Sequence, residues 1–173
     1  MYKEELLPLP YKHDELAPVM SEETLVYHYD TLAQGYADNL NKKVDSPSLF
    51  FNASGFALHN IFFQQFKAPE EDNQPFGESA EFVERFYGNL DQLKKEMKDC
   101  AMSIEGSGWV YLASDGKIKK IKNHEACFNI ILLIDWWEHA WALDYHADKG
   151  QYFDNIWSII DWSKINEEII NKV

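Results

Sequence analysis

Two early stretches of the chain repeat apolar residues at helical spacing. Ser21 is a good N-cap, Glu22 and Glu23 sit where a helix dipole favours negative charge, and Leu25, Tyr29, Leu32 and Tyr36 follow as a stripe. This predicts a first helix ending near Leu40. Phe56, Phe62, Phe63 and Phe66 make the stripe of a second helix. Only residues 42–47 separate the two, and amphipathic helices joined by so short a loop pack antiparallel. Upstream, Pro8, Pro10 and Pro18 keep residues 5–20 from being helical throughout. Downstream, the polar, proline-punctuated run 67–75 marks a boundary between an N-terminal helical-hairpin domain, residues 1–70, and a C-terminal α/β domain, residues 71–173.

The second half mixes periods. Phe82, Phe86, Leu90, Leu93 and Met97 share one helical face over residues 78–103, and Gly88-Asn89 divides it into two helices. Trp109-Val110-Tyr111-Leu112-Ala113 and Ile118-Lys119-Lys120-Ile121 flank Ser114-Asp115-Gly116-Lys117, a hairpin whose Asp-Gly suits a tight turn. The apolar, β-branched run 128–134 reads as a buried third strand, and the tail from Gln151 is helical again through Phe153, Ile156, Trp157, Ile160 and Ile169. The fold class is therefore α+β: an antiparallel helical hairpin, then a three-stranded antiparallel sheet flanked by helices.

Composition narrows what such a chain can bind. Hydrophobic residues make up 46% of 173, enough to build a core without disulfides or metal. Sixteen basic residues, of which Arg85 is the one arginine, face 29 acidic ones, for a net charge of −13. Phosphate backbones and anionic membranes are held by lysine and arginine clusters, so neither nucleic acid nor a membrane is an expected partner. No apolar run approaches the roughly 18 residues of a membrane span, and the first residues lack the apolar core of a signal peptide, which suggests a cytoplasmic protein. Cys100 and Cys127 show no metal-site spacing and read as two reduced thiols.

Four residues concentrate the chemistry. His28 lies on the first stripe and His59 on the second, so both point across the hairpin seam. A single buried histidine is ordinarily a satisfied core residue, but two facing each other either hydrogen-bond or share a metal. Asp135 ends the apolar strand, where a buried carboxylate is costly unless paired or metal-bound, and His139 can reach the same point across one turn. Two readings stay open on spacing alone. In one, three imidazoles and a carboxylate hold Mn, Fe or Zn rather than Ca or Mg. In the other, Asp135 caps a helix starting near Trp136 and leaves His139 on its exposed first turn.

Asp135-Trp136-Trp137-Glu138-His139-Ala140-Trp141 resembles the D-x-W-E-H-A-[YF] signature of the iron/manganese superoxide dismutase family. The likeness runs from Leu6-Leu7-Pro8-Leu9-Pro10-Tyr11 to Asn155-Ile156-Trp157-Ser158-Ile159-Ile160-Asp161-Trp162, through Tyr36-Ala37-Asp38-Asn39-Leu40-Asn41, Phe50-Phe51-Asn52-Ala53 and Gly106-Ser107-Gly108-Trp109. It implies an antioxidant oxidoreductase acting on superoxide, with one Fe or Mn ion per subunit between the two domains. His28, His59, Asp135 and His139 are then its ligands. Tyr36 matches the tyrosine guarding substrate access, and Trp109 and Trp137 match an aromatic wall. The family's outer-sphere donor to metal-bound solvent, usually glutamine, comes from the second helix or from the sheet. Here the helix position is Gly55, too small to reach, and the sheet position matches His124. Glu138 resembles the residue that reaches the partner subunit's His139 in a homodimer, and Tyr145 matches an interface tyrosine.

The chain also departs from that pattern. Where the family carries a lysine and two histidines after His28-Tyr29, it reads Asp30-Thr31-Leu32-Ala33, and where arginines usually follow Tyr145 it reads His146-Ala147-Asp148-Lys149. The hairpin is shortened around residues 44–47. These changes weaken steering of an anion. They keep two rivals in view: a catalytically weak or inactive metal-binding structural protein of the same fold, and a metal-dependent hydrolase, for which no separate general base is evident.

Overall fold

The computed structural model describes residues 3–42, 48–125 and 129–173. Ser21 opens the first helix, its Oγ accepting the Thr24 N–H at 3.1 Å. That helix is α-helical over α1 (Glu22–Leu25), π-helical over Val26–Ala33, and α-helical again over α2 (Gln34–Asn41). The Gln34 N–H reaches back to Tyr29 O, which widens the turn. The inward face slips by one residue as a result. Leu25, His28, Ala33 and Ala37 are buried, whereas Tyr29, Leu32 and Tyr36, expected on the inner stripe, are half-buried.

Helix α3 (Leu49–Gln64) runs antiparallel to this first helix. At one end of the pair Asn39 Nδ2 donates to Asn52 Oδ1 at 3.0 Å, and at the other the His28 ring lies 4.8 Å from Phe63. The connecting loop, residues 43–47, lies outside the described residues. Phe66, expected on the second helix, falls beyond its end and bridges Ile160 instead. The polar run that follows is tied down rather than loose. Lys67 and Glu70 donate their N–H groups to Ile159 O and Ser158 O, and the buried Asn73 amide donates to Trp157 O and Ile160 O. An amide with two donors satisfies carbonyls that the end of a helical turn leaves open.

Helices α4 (Glu78–Tyr87) and α5 (Leu90–Met102) separate where expected. Gly88 takes a φ of 79°, and Asn89 Oδ1 caps α5 by accepting the Gln92 N–H at 2.8 Å. Strands β1 (Gly108–Ala113), β2 (Ile118–Lys122) and β3 (Ile130–Asp135) form an antiparallel sheet in the order β2-β1-β3. The β1–β2 turn places Gly116 at φ 74° against the Phe86 ring. Strands β1 and β3 are buried throughout. Residues 126–128, including Cys127 and the expected start of the third strand, lie outside the described residues. The outer edge of β3 is closed by one side chain: the buried Gln65 amide donates to Leu133 O and accepts the Leu133 N–H. The tail is three helices, α6 (Ala142–Tyr145), α7 (Lys149–Ile156) and α8 (Trp162–Lys172), interrupted at Asp161, which caps α8 through the Ser163 N–H. Helix α5 packs on β1 and β2, and α3 and α8 pack on β3, so the end of β3 meets the hairpin seam.

Candidate metal centre

Four elements deliver one donor atom each to the same point. His28 comes from the π-helical segment, His59 from α3, Asp135 from the last position of β3, and His139 from the 3-10 turn Glu138–Ala140. Their ligand atoms lie within 4.8 Å of one another. Asp135 Oδ2 is 3.2 Å from His28 Nε2, 3.3 Å from His139 Nε2 and 3.8 Å from His59 Nε2. The other Asp135 oxygen, Oδ1, accepts the Trp137 N–H at 2.8 Å; this ties down the turn after β3 and is not a helix cap, since the 3-10 turn Glu138–Ala140 has no side-chain cap. His59 Nδ1–H donates to Gly55 O at 2.6 Å, which leaves Nε2 bare. His28 Nε2 and His59 Nε2 are buried without a hydrogen-bond partner among the described residues.

Burial decides the charges. It pushes the His28 imidazole down to about 4 and the His59 imidazole down to about 3, each with a further push from a neighbouring histidine. Burial alone would raise the Asp135 carboxyl, but His139 and His28 beside it hold it well below the usual carboxylate range. At neutral pH His28 and His59 are therefore neutral nitrogen donors beside one carboxylate, and the bare Nε2 of His59 faces the same centre. That chemistry fits a first-row transition ion, which takes imidazole and carboxylate together.

Around the cluster lies an aromatic shell. Trp109, fully buried at the start of β1, donates its indole N–H to His124 Nδ1 at 3.1 Å. His124 follows Asn123, whose φ of 52° turns the chain back over the end of the sheet. The His124 ring is buried, lies flat on Trp137 at 4.5 Å, and meets Tyr36 Oη through Nε2 at 2.8 Å. Burial lowers it to about 3 and raises the Tyr36 hydroxyl to about 12. Tyr36 in turn sits over α3 where Gly55 leaves room, since a Cβ there would fall 3.1 Å from its ring.

Phe51 belongs to this shell although the sequence reading passed over it as a site residue. Its ring is 4.6 Å from His124 and 6.0 Å from Tyr36, closing the outer side of both. The signal was present in the row Phe51, Gly55, His59, four residues apart on one helix face.

His139 is the ligand nearest the surface, with its side chain 12% exposed. It lines an open cleft of about 610 Å³ together with Glu138, Trp141, Ala142 and Lys149. Glu138 is exposed. Tyr145 is half-buried and engaged within the chain, donating to Val19 O at 2.8 Å and accepting from Asn155 Nδ2 at 3.3 Å. Asp30 pairs with His13 at 3.0 Å on the outer face.

Comparison with known proteins gives the same picture. The family described as iron/manganese superoxide dismutases, alpha-hairpin domain, matches residues 3–48, and the iron/manganese superoxide dismutases, C-terminal domain, matches residues 75–168. The Mn/Fe superoxide dismutase of Porphyromonas gingivalis is 35% identical over 182 aligned positions, covering 91% of this chain and 95% of the relative. The Fe superoxide dismutase of Bacteroides fragilis is 30% identical over 190, covering 95% and 98%. That of Methanothermobacter marburgensis is 30% identical over 190, covering 94% of each.

Proposed function

Because the chain belongs to the iron/manganese superoxide dismutase family, we propose that it converts two superoxide anions and two protons to dioxygen and hydrogen peroxide. The observation that carries this reading is the buried convergence of His28, His59, Asp135 and His139 on one point. These four would hold one iron or manganese ion, at the junction of a hairpin domain, residues 1–70, and an α/β domain, residues 71–173, each supplying two of the four side chains. Bound there, such an ion would supply one-electron chemistry.

The chain's own residues do the rest. Asp135 places a negative charge beside the neutral imidazoles of His28 and His59 and so favours the higher oxidation state. The rings of Trp109, Trp137, Phe62 and Phe63 keep bulk water from the ligands and hold their orientation. Tyr36 and His124 keep an exchangeable proton beside the site, at the 2.8 Å contact between Oη and Nε2. Peroxide formation needs protons as well as electrons, and this pair is placed to hold one.

The same reading includes a homodimer in the cytoplasm. Glu138 and the cleft beside His139 form the face that a second copy covers, with Glu138 directed to the partner subunit's His139. Tyr145 supports that face from within, through its bond to Val19 O. Among the described residues no helix is long and apolar enough to cross a membrane.

Reconstitution with Fe and with Mn separately, followed by metal analysis and pulse radiolysis of each form, tests the activity. Disproportionation above free-metal controls is expected for at least one form. The departure from the family pattern at Asp30-Thr31-Leu32-Ala33 favours a second reading, a metal-holding protein without turnover. Stoichiometric metal with no activity above those controls would select it.

A further inference from the structure

The resemblance assigns His124 the hydrogen bond to metal-bound solvent, a task usually done by an amide. An amide nitrogen carries two hydrogens, and a neutral imidazole carries one. The geometry here commits both ring nitrogens of His124. The indole of Trp109 can only donate, so the nitrogen that faces it at 3.1 Å, Nδ1, must be bare. A cationic ring would set two N–H groups against each other at that contact. The single proton of the ring is then on Nε2, which faces Tyr36 Oη at 2.8 Å. Turning the ring over would bring carbon atoms to both contacts and lose both hydrogen bonds. The flat stack on Trp137 and the Phe51 ring at 4.6 Å oppose that turn.

We infer that Trp109 is a positioning residue that fixes His124 as its Nε2–H tautomer, so that the hydrogen-bond chain runs Trp109 to His124 to Tyr36. The Tyr36 hydroxyl, having accepted from His124, holds the one uncommitted proton of that chain. With its one N–H committed to Tyr36, His124 has no second N–H to offer, a different role from the one the resemblance implied. The inference rests on the proposed function for its importance to turnover, but the tautomer itself is a property of the folded chain.

The test is long-range proton–nitrogen correlation spectroscopy of the full chain labelled with ¹⁵N at histidine and tryptophan. It is recorded with Zn²⁺ in place of the redox ion, since Zn²⁺ accepts the same nitrogen and oxygen donors and is diamagnetic. His124→Gln assigns the ring signals by their loss. The expected pattern is a protonated Nε2, a bare Nδ1, and a scalar coupling across the hydrogen bond from Trp109 Nε1 to Nδ1. A proton on Nδ1, or on both nitrogens, overturns the inference. In Trp109→Phe the Nδ1 resonance is expected to shift toward the protonated position as the single-tautomer pattern is lost. If that variant does not fold, replacing Trp109 with benzothienylalanine removes the N–H while keeping the ring shape. An unchanged His124 pattern in the folded variant denies Trp109 its role. None of these readings needs turnover. An inactive protein with the expected tautomer would refute only the proposed function, and an active one with the opposite tautomer only this inference.

Discussion

Acid should unfold the metal-free protein steeply, and the structure sets the slope. His28 and His59 are fully buried, with folded values of about 4 and about 3 against 6.5 for a free imidazole. As pH falls below 6.5 the unfolded chain takes up two protons that the folded chain refuses. Both folded values are depressed, so stability drains from about pH 6.5 downward and continues to fall until the folded histidines themselves protonate near pH 4 and 3. Each refused proton contributes about 1.4 kcal/mol per pH unit. Between pH 6 and 5 a free imidazole is already mostly protonated, so the pair removes about 2.5 kcal/mol over that unit. His124, also depressed by burial, steepens the loss, and Asp135, held ionised, extends it below pH 4. A domain typically has about 5–15 kcal/mol to lose. Urea unfolding of the chelator-stripped protein at pH 7, 6 and 5, followed by circular dichroism, measures this directly. The slope should flatten in a folded His28→Gln, His59→Gln double variant. A change below about 0.5 kcal/mol between pH 6 and 5 in the unaltered chain would mean that these rings are not buried and neutral.

Saturating the stripped protein with Mn²⁺ at about 1,000 times its dissociation constant should add about 4 kcal/mol, read as a raised urea midpoint, and His59→Ala should abolish that gain. Gly55→Ala gains about 1 kcal/mol of helix propensity but forces the Tyr36 ring from 3.1 Å, an overpacking cost of about 1–3 kcal/mol. Net destabilisation and displacement of Tyr36 from His124 are expected, checked by thermal unfolding and a crystal structure of the variant. Gln65→Leu leaves the Leu133 N–H and C=O without their partner at the edge of β3, which should destabilise by about 2–4 kcal/mol in thermal melts. With −13 net charge and no restored entrance cations, the superoxide rate should rise or hold level with added salt. A steep fall in pulse radiolysis would contradict that account.

Much of this was written in local signals. Ser21, Gly88-Asn89 and Asp115-Gly116 each do in the structure what their residue type predicts, because caps and tight turns depend on a few neighbouring atoms. The first helix is where pattern reading slipped. A regular period put Leu25, His28, Tyr29, Leu32 and Tyr36 inward; Leu25 and His28 are buried, but past the π-helical segment it is Ala33 and Ala37 that face the core. Nothing in the apolar period announces an inserted turn, since its stabilisation comes from packing across the seam. Phe66 was misplaced, and the anchoring of Asn73 went unread, for a related reason. Their partners, Ile160 and the Trp157 and Ile160 carbonyls, lie far along the chain, and no local rule links them.

The four candidate ligands could be picked out by residue type, but their geometry depends on the atoms of each that face away from the centre. His59 is oriented by Gly55 O on Nδ1, and Asp135 by the Trp137 N–H on Oδ1. Each tie comes from the ligand's own neighbourhood, four residues back on α3 and two residues on from β3, so helix and strand end fix those two donors before any ion is bound. His28 differs. Its Nδ1 has no partner among the described residues, and its ring is placed by contact with Phe62 at 5.5 Å and Phe63 at 4.8 Å. Hydrogen bonding therefore orients two of the four ligands, while packing across the hairpin seam orients His28. The π-helical segment leaves His28 on the face that a regular helix would have given it, three residues on from Leu25, and shifts the residues after it, so that Ala33 and Ala37 are buried in place of Leu32 and Tyr36.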